Sequence, residues 1–230
     1  MTKRLKIARL VLVLLTFIAV LIGLPAWLFG IAGDVKVWFL MVGYFVFFLG
    51  TVWRVVWHGQ LARREDDEQV RTPSGLISSV LSIIGLVAFH WISLYTYSLH
   101  DRMMGEYTAL AHANLMLSIS LVLSSIIVSQ LAIRTLGKFF DRLTIKTDHR
   151  LVTEGIYGFV RHPIYTSYIL LFLGFCTMLQ SFWGLMILIL TCLIWFGKRI
   201  AIEEQMLEDK FGDEYRVYCQ HSQRLFPYLF

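Results

Sequence analysis

"GIYGFVRHPIYTSYILLFLGF", residues 155–175, sets an arginine, a histidine and a proline at the start of an uncharged, largely apolar run. Pro163 fits the first position of a helix, where its missing N–H costs nothing. The backbone N–H groups exposed at such a start form a ready site for an anion or a polar ligand. Two cation-capable side chains, Arg161 and His162, therefore stand at the mouth of a segment that reads as membrane helix. What docks there depends on which side of the membrane the mouth faces.

The surrounding chain has the composition of a polytopic membrane protein. Of its 230 residues 57% are hydrophobic and 16% charged, and the mean hydropathy is +0.64, values that soluble domains of this size seldom show. Apolar runs near the ~20 residues that a bilayer requires fall at 7–29, 36–57, 76–97, 108–133, 164–180 and 182–197. The last two are short and joined through "QSFWG", which reads as a tight helical hairpin, tilted or short of a full crossing. Trp27, Trp38, Trp57, Tyr97 and Trp183 lie near run ends and suit interfacial anchoring. The first run is too long for a signal peptide, and "GLPAWLFGIAG" is a poor cleavage site, so it reads as a helix. Cys176, Cys192 and Cys219 form no framework of bridges, and no Cys/His spacing suits a metal. The expected fold is an all-α integral membrane protein with about six transmembrane helices, a C-terminal helical hairpin and a cytoplasmic cofactor pocket.

Cations give the orientation. With the N-terminus in the cytoplasm, Lys36 and Arg102 are the only outside members of the 21 Lys and Arg residues. The positive-inside rule then puts both termini, and the mouth at Arg161-His162-Pro163, at the cytoplasmic face. The net charge of +5 is accounted for by topology and anionic headgroups, so no nucleic-acid partner is needed. Membrane lipid is the expected surrounding partner; nothing in the sequence speaks to oligomeric state.

The text changes near residue 134. Residues 1–133 hold four hydrophobic helices; "RREDDE" at 63–68 reads as a solvated loop face, and His90 and His112 as packed, hydrogen-bonded residues or cavity liners. Residues 134–230 begin with about 30 residues too apolar for a disordered linker, which should fold against the membrane face, and then enter the hairpin. The exit helix carries "KRIAIEEQ", where Arg199 and Glu203 are four apart and share a face, with Glu204 about 100° further round. On an isolated helix this is an exposed ion pair. If the hairpin brings its cytoplasmic ends together, the same groups join Arg161, His162 and Tyr165 in one pocket. There is no phosphate-binding glycine loop of either common nucleotide-binding kind.

"LVTEGIYGFVRHPIY", then "EE", then "FGDEYRVY" and a closing "RLFPYL" resemble, in order and spacing, the isoprenylcysteine carboxyl methyltransferase family and its phospholipid N-methyltransferase relatives. The resemblance covers about residues 134–228. Ile156 stands where many members have proline, and Ser167 where glycine is frequent. The resemblance implies a membrane methyltransferase that takes S-adenosyl-L-methionine from the cytosol and a lipophilic small-molecule or lipid-modified acceptor from the bilayer. By motif it assigns cofactor contacts to His149, Arg150, Leu151, Val152, Tyr157, His162, Pro163, Ile164, Tyr165, Glu203 and Glu204. Arg199 matches an acceptor-binding, catalytic arginine, and Arg161 stands beside it as a catalytic candidate.

Transfer of methyl from a sulfonium to a carboxylate annihilates charge and gains from a water-poor site. A carboxylate is already ionised at neutral pH and needs alignment, which an arginine supplies bidentately. An amine acceptor would instead need a base, Glu204 or His162. Sterol-reductase-type membrane reductases, which use NADPH, share an Arg-His-x-x-Tyr block but typically carry Asn before the tyrosine and lack paired glutamates. A non-catalytic protein keeping the scaffold is the third reading. The topology is tested by reporter fusions: those after residues 33 and 104 should read outside, and those after 68, 148 and 230 inside. An outside signal at 148 would put the pocket in the wrong compartment.

Overall fold

The computed structural model describes residues 3–57, 76–103, 109–137 and 150–227. Each apolar run is helical there: α1 Lys3–Ile18, α2 Leu24–Leu28, α3 Val35–Trp57, α4 Leu76–Met103, α5 Ala109–Leu136, α6 Pro163–Met178 and α7 Phe182–Phe211, followed by the polar α8 Asp213–His221. Among the described residues five helices are long and apolar enough to cross a membrane, with α1 and α2 counting as one. The sixth expected span, α6, has 16 residues, about 24 Å against the roughly 30 Å of a hydrocarbon core. The 30 residues of α7 outrun the bilayer, so its charged end projects beyond it.

Local chemistry explains the breaks. Between α1 and α2 a wider π turn, Ala19–Gly23, precedes Pro25. Proline has no N–H to offer the Val20 carbonyl, which accepts instead from Trp91 Nε1 at 3.2 Å and so ties the first helix to α4. At the start of α3, Asp34 accepts from the Lys36 N–H at 2.6 Å and from the Tyr97 hydroxyl at 2.6 Å. Tyr97 is thus buried and tied to a carboxylate rather than set as a surface anchor, whereas Trp27, Trp38 and Trp183 are exposed. The turn from α6 to α7 places Gln180 at a φ of 51°. Ser181 caps α7 by accepting from the Gly184 N–H at 3.1 Å.

The hairpin is present, but its arms have their main partners elsewhere: α6 packs chiefly on α5 and α7 on α4. A buried cluster of Tyr44, Phe47, Phe89, His90, Phe172 and Phe175 joins α3, α4 and α6. His90 takes the packed alternative: fully buried, it bonds Tyr44 Oη at 2.8 Å and the Leu86 carbonyl at 2.7 Å. The "RREDDE" loop lies outside the described residues.

Close approach of α5 and α6 depends on Gly174. A Cβ there would stand 2.8 Å from Val122 Cγ2 and 3.2 Å from the Val122 backbone nitrogen. Small residues at such crossings let helices in lipid pack closely. Gly174→Leu should lower stability by about 1–3 kcal/mol, read as a fall in the thermal unfolding midpoint. At Gly197, inside α7, a Cβ would meet nothing within 4 Å, so Gly197→Ala should raise stability by about 0.5–1 kcal/mol through alanine's better helix propensity.

Candidate active site

Where α6 begins, the chain doubles back on itself. After α8, residues 222–225 run beside residues 159–162. Gln223 N–H donates to the Phe159 carbonyl at 2.9 Å, Arg161 N–H to Gln223 at 2.7 Å and His162 N–H to Arg224 at 3.1 Å. The Thr166 hydroxyl donates to the Leu225 carbonyl. The N–H groups just ahead of α6 are therefore taken by the chain's own C-terminal segment, and the anion site expected there is narrower than the sequence implied.

Adjacent glutamates on α7 have separate duties. Glu204 Oε1 meets His162 Nε2 at 3.1 Å, Arg161 Nε at 3.4 Å and Arg224 Nε at 3.0 Å, and Oε2 accepts from Arg224 Nη2 at 2.7 Å. That carboxylate raises the pKa of the Arg224 guanidinium. Arg161 also donates to the carbonyls of Cys219 and Ser222. Glu204 is thus the clasp that holds α6, α7 and the C-terminal segment together. Glu203, one step round the helix, accepts from the Tyr165 hydroxyl at 2.9 Å and lies 3.8 Å from His162 Nδ1. The same Tyr165 oxygen accepts from Arg199 Nε at 2.8 Å.

A cavity of about 310 Å³ opens beside this cluster. Tyr157, Arg161, His162, Ile164, Tyr165, Arg199 and Glu203 line one part of it; Phe17, Phe48, Thr51 and Leu86 from α1, α3 and α4, with Tyr168, Phe172, Trp195 and Phe196, line the rest. Seven of the residues singled out from the sequence therefore line one cavity. Pro163 opens α6, buried behind it. Glu204 stands outside the lining, as do Leu151 and the buried Val152. Arg150 pairs with Glu154 at 2.6 Å, both side chains about two-thirds exposed at 66% and 65%, a contact of little energetic weight. His149 lies outside the described residues.

The aromatic half of the cavity went unnoticed in the sequence, although part of its signal was there. Tyr165, Tyr168 and Phe172 recur at helical spacing along α6, as do Trp195, Arg199 and Glu203 along α7. The contributions of α1, α3 and α4 carried no such mark. Among the described residues no group of three or more His, Cys, Asp or Glu side chains could hold a metal ion.

Comparison with known proteins finds relatives of this chain. Residues 116–209 match the model of the isoprenylcysteine carboxyl methyltransferase (ICMT) family. A probable protein-S-isoprenylcysteine O-methyltransferase of Oryza sativa subsp. indica is 27% identical over 183 residues, 76% of this chain and 92% of the relative. The protein-S-isoprenylcysteine O-methyltransferase of Schizosaccharomyces pombe is 41% identical over 71 residues, 31% of this chain and 30% of that one. Methanethiol S-methyltransferase 1 of Bradyrhizobium diazoefficiens is 39% identical over 82 residues, 36% of this chain and 28% of that one. A solved structure of the eukaryotic intramembrane Ras methyltransferase ICMT shares the fold, with a TM-score of 0.54 at 24% identity, covering 96% of this chain and 73% of that one. The protein is an all-α integral membrane methyltransferase. Its similarity to the isoprenylcysteine carboxyl methyltransferase family lies in residues 116–209, less than half of the chain.

The clasp at Glu204 generates a prediction of its own. Glu204→Gln keeps the shape and removes the charge facing Arg161, His162 and Arg224. It should destabilise the fold by about 1–3 kcal/mol, read by thermal unfolding in detergent. Trypsin should also cleave after Arg224 faster than in the wild type.

Proposed function

We propose that the cavity holds S-adenosylmethionine at its polar end, facing the cytoplasm, and a lipophilic acceptor bearing a carboxylate at its aromatic end. The observation that carries this reading is one cavity lined both by the polar Arg161, His162, Arg199 and Glu203 and by a set of aromatic side chains. Residues 134–230 are the methyltransferase core in this reading. Residues 1–133 contribute the apolar walls through Phe17, Phe48, Thr51 and Leu86. Both termini lie in the cytoplasm, where the donor is drawn from.

The residues present fit such a donor. Glu203 places a carboxylate on the cavity wall, with Oε2 engaged by Tyr165 and Oε1 without a hydrogen-bond partner among the described residues. This suits the ammonium of an amino acid moiety. Tyr157 and the His162 ring edge offer flat polar surface to a nucleoside. When bound, the donor supplies an electrophilic methyl group on a sulfonium. Arg199 has its Nη groups available to clamp a carboxylate in the planar, two-bonded manner that guanidinium favours. The aromatic walls exclude water, which keeps the nucleophile weakly solvated.

A carboxylate acceptor is favoured over an amine because the candidate bases are engaged. Glu204 is bound by Arg161, His162 and Arg224 and lies off the cavity lining, and both nitrogens of His162 face carboxylates. The plant and yeast relatives are named for O-methylation of isoprenylcysteine, so a prenylated cysteine carboxylate is the proposed acceptor. A small thiol is the second reading, favoured by the similarity to a methanethiol S-methyltransferase.

Glu203→Gln should weaken S-adenosylmethionine binding by roughly 1.5–3 kcal/mol, measured calorimetrically on the detergent-solubilised protein. Arg199→Lys keeps the charge but loses the planar fork. With a prenylcysteine acceptor it should leave donor affinity nearly intact and lower turnover at least about tenfold, some 1.4 kcal/mol of barrier. A mild effect of Arg199→Lys would turn the reading toward a thiol or amine acceptor. Unchanged donor affinity in Glu203→Gln would remove the assignment of that carboxylate.

A further inference from the structure

Two opposite charges four residues apart on one helix ordinarily pair directly. Arg199 and Glu203 on α7 do not: among the described residues no ion pair joins them, and a hydroxyl from another helix stands between. Tyr165 Oη accepts from Arg199 Nε at 2.8 Å and donates to Glu203 Oε2 at 2.9 Å. A phenol has one proton to give and lone pairs to receive, so it satisfies a cation on one side and an anion on the other. The ring cannot drift easily from this post. His162 lies on one side with centroids 5.8 Å apart, and Phe196 lies 5.4 Å away.

We propose that Tyr165 is a positioning residue whose hydroxyl holds Arg199 and Glu203 apart, leaving each charge available to a different ligand. This rests on the reading that Glu203 receives the donor's ammonium and Arg199 the acceptor's carboxylate. The spacer uses the Nε edge of the guanidinium and one carboxylate oxygen. The terminal Nη groups of Arg199 and Oε1 of Glu203 are left without protein partners among the described residues, on the lining of one cavity. Without the hydroxyl, attraction between these half-buried groups draws the two side chains into a direct pair, because opposite charges interact more strongly where bulk water is partly excluded. That pair would occupy the groups on which both ligands depend.

The test is a mutant cycle read by donor binding as well as turnover. Tyr165→Phe should weaken S-adenosylmethionine binding by about fivefold or more, and lower turnover of a prenylcysteine acceptor by about tenfold or more, if two charge-assisted contacts are lost together. Adding Arg199→Gln removes the cation that captures Glu203. The double variant should recover donor affinity to within about twofold of wild type while remaining slow in turnover, the non-additivity of coupled neighbours. Such rescue also shows that the protein without the Tyr165 hydroxyl is folded. Wild-type donor affinity in Tyr165→Phe would overturn the proposal. So would a weakened affinity that Arg199→Gln fails to restore, which would make Tyr165 a direct donor contact or a packing residue. Glu203→Gln, measured alongside, separates the two levels. If it binds the donor normally, the site reading and the spacer fall together; if it binds weakly and the rescue is absent, the spacer alone falls.

Discussion

The carboxylate of Glu204 is the contact on which the site's architecture depends. It receives His162 and Arg161 from the start of α6 and Arg224 from the C-terminal segment. Two separate pieces of chain thereby converge on one residue of α7, at the place where that helix leaves the apolar zone. Its side chain is only 15% exposed, so the charge is tolerated because its partners satisfy it, and removing any one of them leaves a partly desolvated ion short of a hydrogen bond.

The adjacent pair Glu203–Glu204 shows how one helical step divides labour. A rotation of about 100° turns Glu204 toward the clasp and Glu203 toward the cavity. His162 sits between them, with one ring nitrogen 3.1 Å from Glu204 and the other 3.8 Å from Glu203. The imidazole thus touches both the clasp and the cavity. Tyr165, three residues further along α6, is close enough to the same carboxylate to bond it.

Much of this was legible in the sequence, and the boundaries of what was legible have physical causes. Six apolar runs became helices because hydrophobic length is a strong signal in lipid, where the backbone must satisfy itself. The convergence of Arg161, His162, Tyr165, Arg199 and Glu203 followed from motif spacing and the hairpin. The different fates of the two glutamates did not, because spacing alone cannot say which face of α7 meets the C-terminal segment. Phe17, Phe48 and Leu86 were invisible as cavity walls: an apolar residue facing lipid and one facing a cavity look alike in hydropathy. Tyr97 looked like an interfacial anchor because nothing local showed that Asp34, 63 positions away, would accept its proton. The pairing of residues 159–162 with 222–225 is a short backbone match of high sequence separation, which leaves no periodicity to read.

That pairing also sets an order of events in biosynthesis. The carbonyls that fix Arg161 and His162 belong to Gln223 and Arg224, and the contacts of Arg161 with Ser222 span 61 positions. Synthesis proceeds at roughly 5–20 residues per second, so α6 enters the membrane several seconds before its capping segment is made. During that interval the bundle has its helices but lacks the strap that fixes the entrance to the cavity. Insertion into the bilayer and completion of the cavity are consequently separate stages, and a nascent chain fixes Arg161 and His162 only after its membrane helices have been made.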